Sequence, residues 1–260
     1  MLISRRRTSP LKIDIVARPP RSASTRASPA SPRPCSGRSG TASSRPAVPT
    51  PCGTKCFDRE VRQFLQAHPA GTVVALGEGL ETQFWRVDNG SVRWVGVDLP
   101  EVEDLRRRLL PASDRVTSRG ESVTDLGWLE ELGSGPTLIT AQGLLMYLRP
   151  EDVDAIVGGI VEALPGGGDF VFDAMAPWAV ERSKAGKLSR GGYTPPPWDW
   201  GLDDAEARRL ATLSPRILDI RALPIPRGRG FLVGFLLPLL GRPERMRRRM
   251  LSVNRLTIGG

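Results

Sequence analysis

The sequence predicts a doubly wound α/β fold: a mostly parallel sheet with helices on both faces, closed by a C-terminal antiparallel strand pair. Three observations predict it. From Phe57 onward, short apolar, β-branched runs alternate with helical patterns, a Gly-x-Gly turn follows the first run, and an acid ends the second. Strands alternating with helices of ordinary length imply parallel strands buried on both sides.

The elements follow in order. Phe57, Val61, Phe64 and Leu65 recur at helical spacing, and His68-Pro69-Ala70-Gly71 ends that helix. Thr72 to Leu76 reads as the first strand and stops at Gly77. Residues 92–97 form the second and end at Asp98, and residues 100–110 read as a helix with proline in its first turn. Residues 137–140 are a third strand, followed by a loop through Gln142 and Gly143. Pro150 opens a helix whose buried face is Val153, Ile156, Val157, Ile160, Val161 and Leu164, and residues 169–172 are a fourth strand. Near the end, residues 216–223 and 252–258 are candidate strands for the antiparallel pair, with a mixed helical connection over residues 232–250.

Charge separates a tail from this body. The chain carries 37 Lys and Arg against 28 Asp and Glu. Residues 1–56 hold 11 of the bases and one acid, Asp14, which leaves 26 bases and 27 acids in residues 57–260. The high isoelectric point therefore belongs to the tail, which argues against nucleic-acid binding by the folded part. Residues 17–54 are mostly Ser, Pro, Ala, Arg, Thr and Gly, too poor in large apolar side chains to offset the entropy of ordering, so disorder is expected there. Three readings compete for the tail, a plain extension, an organelle transit peptide, or sequence from a wrong start or frame, and the last is favoured.

Cys35, Cys52 and Cys56 give neither a disulfide framework nor a set of four zinc ligands, since His68 is the one histidine. No metal site and a cytoplasmic location with reduced thiols are expected. No apolar run reaches the roughly 20 residues needed to span a bilayer. The nearest, residues 230–240, is interrupted by Pro238 and reads as buried.

In open parallel sheets, ligands sit beyond the carboxyl ends of the strands near the switch point. Gly77-Glu78-Gly79, Asp98 and Gln142 all fall there. A Gly-x-Gly alone is explained equally well by a tight turn. Joined to an acid at the second strand's tip, where a carboxylate can hold both hydroxyls of a ribose, it points to an adenosine-containing ligand. A dinucleotide fingerprint would need a third glycine where Thr82 stands. Glu81 would meet a pyrophosphate with like charge, and the Tyr-x-x-x-Lys pattern of short-chain dehydrogenases is missing because Glu151 follows Tyr147. These departures favour a cofactor without phosphate, S-adenosylmethionine (SAM).

The stretch from Val73 to Arg86, Val-Val-Ala-Leu-Gly-Glu-Gly-Leu-Glu-Thr-Gln-Phe-Trp-Arg, resembles the leucine carboxyl methyltransferase family, most of all its branch of tetracenomycin-type polyketide O-methyltransferases. Val97-Asp98-Leu99-Pro100, Asp125-Leu126-x-Trp128 and Gly143-Leu144-Leu145-Met146-Tyr147-Leu148 support the match in order and spacing. The resemblance runs from Phe57 to Gly260 and implies a class I, Rossmann-like methyltransferase fold. It implies that Gly77, Glu78, Gly79, Asp98 and Leu99 hold the methionyl and ribose parts of SAM, that Asp125 and Leu126 flank the adenine, and that Gln142 and Gly143 line the sulfonium. Members of the family carry a helical region before Phe57 that helps form the substrate pocket. This sequence has the tail instead, with Lys55 alone near the expected basic position.

Asp125 is also readable as a cap for the helix around Trp128, and Met146 and Tyr147 as plain core. Residues 174–201 carry Trp178, Tyr193, Trp198 and Trp200, a composition suited to covering a flat substrate or simply to packing. Tyr147, Trp198 and Trp200 are the candidate substrate contacts. The expected function is O-methylation of a small aromatic or carboxylic metabolite. A catalytically impaired SAM-binding relic is the first alternative, and a tail-driven binder of nucleic acid or anionic surfaces the second.

Overall fold

The computed structural model describes residues 52–133, 135–187, 196–224 and 250–260. All of them lie in one compact unit. Seven strands form one sheet in the order β3-β2-β1-β4-β5-β7-β6. They are β1 (Thr72–Leu76), β2 (Arg93–Asp98), β3 (Val116–Gly120), β4 (Thr137–Ala141), β5 (Gly168–Met175), β6 (Ile217–Ala222) and β7 (Leu251–Ile258). The first five are parallel, and β7 runs antiparallel to both β5 and β6. The doubly wound sheet and its C-terminal antiparallel pair are thus as the sequence predicts. The proposed helical connection over residues 232–250 lies, apart from Met250, outside the described residues.

The helices are α1 (Cys52–Ala67), α2 (Gln83–Val87), α3 (Pro100–Leu109), α4 (Pro150–Ala163), α5 (Pro177–Lys184) and α6 (Asp204–Ala211). Helix α1 begins at Cys52, five residues ahead of the apolar stripe that starts at Phe57, and its first turn already buries Thr54 and Cys56. Side chains alternate along each strand, so β1 sends Val74 and Leu76 to one core and Val73 and Ala75 to the other. The first core collects Ile156 and Ile160 of α4 with Trp128, Phe170 and Phe172. The second collects Phe57, Val61 and Leu65 of α1 with Phe84 and Trp94.

Register brings the strand ends together. Leu76 pairs with Val97 on one side and with Ala141 on the other, and Ala141 pairs with Phe172. The residues that follow, Gly77, Asp98, Gln142 and Asp173, therefore line one edge of the sheet. The order reverses at β1, with β2 on one side and β4 on the other, which puts the switch point in the middle of that edge.

Candidate cofactor site at the carboxyl edge

Gly77 continues the sheet through its N–H to the Val97 carbonyl, 2.8 Å away, and then turns at φ +60°. A β-carbon here would lie 2.8 Å from Leu144 Cδ1, so both conformation and space demand glycine. Gly79 has φ +55° but open space where a β-carbon would stand. Its N–H donates to Asp98 Oδ2 at 2.7 Å, and the Leu99 N–H donates to Oδ1 at 2.8 Å. Asp98 is half-buried, and Leu99 is the cap position before Pro100 opens α3. The glycine turn and the acid at the tip of β2 thus form one hydrogen-bonded unit.

Glu78 points the other way. Its carboxylate is buried, accepts the Trp94 indole N–H at 3.0 Å and pairs with Arg106 at 2.8 Å. Burial pushes its carboxyl up to about 7, against the pull of Arg106 and Trp94. Only its backbone is left to face the glycine turn.

Asp125 ends a 3₁₀ turn (Val123–Asp125) that follows β3. Ser122 caps that turn by accepting the Thr124 N–H, and the next 3₁₀ segment (Gly127–Glu131), which holds Trp128, has no side-chain cap. Asp125 is exposed and does not cap it. Leu126 stands at φ 60°, the one non-glycine residue in the left-handed region among those described. Such strain in a side-chain-bearing residue is held only where neighbours fix it, and here the Leu126 side chain packs against the first core.

At the end of β4, Gln142 Nε2 donates to Thr54 Oγ1 of α1 at 3.0 Å, while its buried Oε1 has no partner. Gly143, at φ +70° with open space beside it, donates its N–H to Asp173 Oδ1 at 2.7 Å. Burial raises the Asp173 carboxyl to about 6, and hydrogen bonding from the Gly143 N–H opposes that rise. Tyr147 is 38% exposed in the following 3₁₀ turn (Leu145–Tyr147), whereas Met146 is buried. Trp198 is buried against Met146, Ala179 and Val180, and its backbone N–H donates to Ser183 Oγ. Trp200 is buried in the first core, 6.1 Å from the Phe172 ring, with its indole N–H on Glu206. Both tryptophans are thus fixed by packing beside the Gln142–Tyr147 loop. Tyr193, singled out with them, lies outside the described residues.

Residues 38–161 match the model of the leucine carboxyl methyltransferase family. This stretch is similar to that family. It contains β1 to β4, with every cofactor candidate from Gly77 to Gly143. The tetracenomycin polyketide synthesis O-methyltransferase TcmP of Streptomyces glaucescens is 35% identical over 148 residues, which is 56% of this chain and 54% of that protein. The chain thus spans about half the length of the curated relative it matches. Among solved structures, a DUF574-family protein from Streptomyces avermitilis gives a TM-score of 0.56 at 14% identity, covering 80% of this chain and 83% of that one. An O-methyltransferase family protein from Burkholderia thailandensis gives 0.51 at 12% identity, covering 80% and 56%. At those identities the likeness is one of fold, the class I methyltransferase sheet.

Beyond the residues named from sequence, the structure adds Arg106 and Trp94, which hold Glu78. Asp173 and Thr54 join the Gln142 end. Asp173 carried a usable signal, being an acid directly after the fourth apolar run. Thr54 and Arg106 did not, since their partners lie 88 and 28 residues away.

Proposed function

We propose that this protein is a SAM-dependent O-methyltransferase acting on a small aromatic or carboxylic metabolite, in a cytoplasmic setting. The observation that carries the reading is the junction of Gly79 and Asp98 at the switch point, with open space beside Gly79 and Gly143. The residues fit the cofactor. Asp98 offers a carboxylate for a ribose diol, the two glycines leave room for close backbone approach, and Gln142 Oε1, buried without a hydrogen-bond partner, stands one residue before Gly143. No basic side chain is among these groups, as suits a cofactor that carries no phosphate.

Bound SAM supplies a methyl group activated on a sulfonium. The chain's own part is to place the acceptor oxygen in line with that methyl and to keep water away. Asp98, Asp125 and Asp173 put three carboxylates along the carboxyl edge, and their field favours a cation at the switch point. A carboxylate or an acidic phenol arrives with its oxygen ionised or nearly so, and needs no dedicated base. The O-methyltransferase description of TcmP supports oxygen as the acceptor atom, and the exposed Tyr147 beside the Gly143 loop supports a flat acceptor.

Calorimetric titration of the full chain with S-adenosylhomocysteine (SAH) tests the cofactor reading, with micromolar binding expected. A panel of phenols and carboxylic acids, followed by SAH release, tests the acceptor class. A folded protein that does not bind SAH overturns the reading. Binding with turnover of amines alone overturns the oxygen acceptor.

A further inference from the structure

We propose that Arg106 is a positioning residue for the cofactor turn: anchored by buried Glu78, its guanidinium clasps the carbonyls of Gly79 and Glu81 and so aims the Gly79 N–H at Asp98. The proposal rests on the cofactor reading above.

The geometry begins with a buried carboxylate where a loop side chain would ordinarily reach solvent. Glu78 is 8% exposed and Arg106 5%. Glu78 Oε1 takes the Trp94 indole N–H, and Oε2 takes Arg106 Nη2 at 2.8 Å. Strand β2 makes room by placing Gly96 beneath, because a β-carbon there would lie 2.6 Å from Glu78 Oε2. Trp94 and Gly96 point to the same side of β2, two residues apart, and together form the seat.

Arg106 uses its remaining donors on the turn itself. Nη1 hydrogen-bonds the Gly79 carbonyl and reaches the Glu81 carbonyl at 3.2 Å. Its Nε stands 3.8 Å from Glu103 Oε1, an ion-pair distance beyond hydrogen-bond reach. The guanidinium's short contacts therefore go to Glu78 and the two carbonyls, with its neighbour on α3 held at longer range. Those carbonyls belong to the Gly79–Leu80 and Glu81–Thr82 peptide units, just after the N–H that meets Asp98. Fixing them fixes a turn whose two glycines would otherwise leave it free to change direction.

A buried ion pair contributes little net stability, because desolvation offsets most of its attraction. What this pair supplies is direction. Only a planar fork with several donors can hold one carboxylate and two carbonyls at once. A lysine keeps the charge but not the fork.

The test compares the full-length wild type with Arg106→Lys and with the doubly neutral Glu78→Gln/Arg106→Met. Each is measured for melting temperature, SAH affinity by calorimetry, and amide hydrogen exchange over residues 78–82. The double variant removes both charges together and so avoids stranding one of them. We expect Arg106→Lys to melt near the wild type yet bind SAH about tenfold more weakly. Exchange should accelerate in residues 78–82 in both variants and stay unchanged in β4 and β5. A purely structural role predicts instead that lysine restores affinity, or that exchange rises everywhere. Wild-type affinity and loop protection in both variants overturn the proposal. A wild-type protein that does not bind SAH overturns the cofactor reading, and the positioning role falls with it.

Discussion

On the β1–β2 side of the switch point the site is made of backbone and one acid. Two glycines at positive φ, the Gly79 N–H and the Leu99 N–H converge on Asp98 within 23 residues of sequence. On the β4–β5 side it is made of side chains brought from far apart, with Thr54 on Gln142 and Asp173 on Gly143. The contrast separates what the two sides must do. On the proposed reading, the cofactor would be met by the backbone geometry of the first side and the acceptor by the side chains of the second. The match to the family model ends at residue 161, before β5 and the tryptophan segment begin.

The largest expected effect breaks the cofactor side alone. Asp98→Ala removes the acceptor of the Gly79 N–H and the carboxylate proposed for the ribose. Hydrogen bonds to a charged group contribute roughly 1.5–3 kcal/mol each, so SAH affinity should fall about 100-fold or more. Calorimetry on the variant checks it. Affinity within a few-fold of wild type would mean that the ribose does not sit on Asp98.

The two glycines sharpen the same side by differing from each other. Both have positive φ, which costs an alanine roughly 1–2 kcal/mol. Gly77→Ala adds a collision with Leu144, so it should destabilise the protein by about 2–4 kcal/mol in urea melts. Gly79→Ala has free space and should cost about 1 kcal/mol. Its methyl group would instead occupy room proposed for the cofactor, so its SAH affinity should fall more than its stability. Equal losses of stability in the two variants would contradict the close approach of Leu144 to Gly77.

On the β4–β5 side the sharpest test is pH. The folded state raises the Asp173 carboxyl to about 6 from an ordinary value of 3.8. The native protein therefore holds that proton to higher pH than the unfolded chain does. Stability from this group is full below about pH 4 and is lost as pH rises to about 6, on the order of 3 kcal/mol. Asp173→Asn keeps an acceptor for the Gly143 N–H and cannot ionise. The difference between wild-type and variant stability, followed by urea melts from pH 4 to 7, should grow to the variant's advantage and level off above pH 6. A flat difference would show that Asp173 is not desolvated.

Much of this could be read from the chain, and the gaps have physical causes. Strand β1 and helix α4 stood out because their residues are apolar on the faces they bury. Strand β3, Val-Thr-Ser-Arg-Gly, did not, because it is a polar edge strand with little to bury. Asp98 and the glycine turn were legible because their partners are close in sequence. The Glu78 side chain was not, since its burial depends on Trp94, Gly96 and Arg106 arriving from β2 and α3. Asp125 offered two readings from its position, and the structure removes one of them because the segment around Trp128 has no side-chain cap. Trp198 and Trp200 showed their aromatic character from sequence, but only packing shows how firmly each is held against Met146 or Phe172.

The smallest effect on stability belongs to Tyr147, and for that reason it best isolates the acceptor side. Its ring is 38% exposed, in a short turn whose neighbours Leu145 and Met146 carry the packing. Tyr147→Ala should change stability by about 0.5 kcal/mol or less, as surface substitutions do. It lies outside the Gly79–Asp98 unit, so SAH affinity should stay at the wild-type value. If its face meets a flat acceptor, KM for that acceptor should rise severalfold while kcat changes less, since a lost contact shared by ground and transition states appears in KM. An unchanged KM would place the acceptor elsewhere along the edge and leave Tyr147 as a surface residue. A fall in SAH affinity would instead show that the two sides of the switch point are not separable, and that the Gly143 loop serves the cofactor as much as the acceptor.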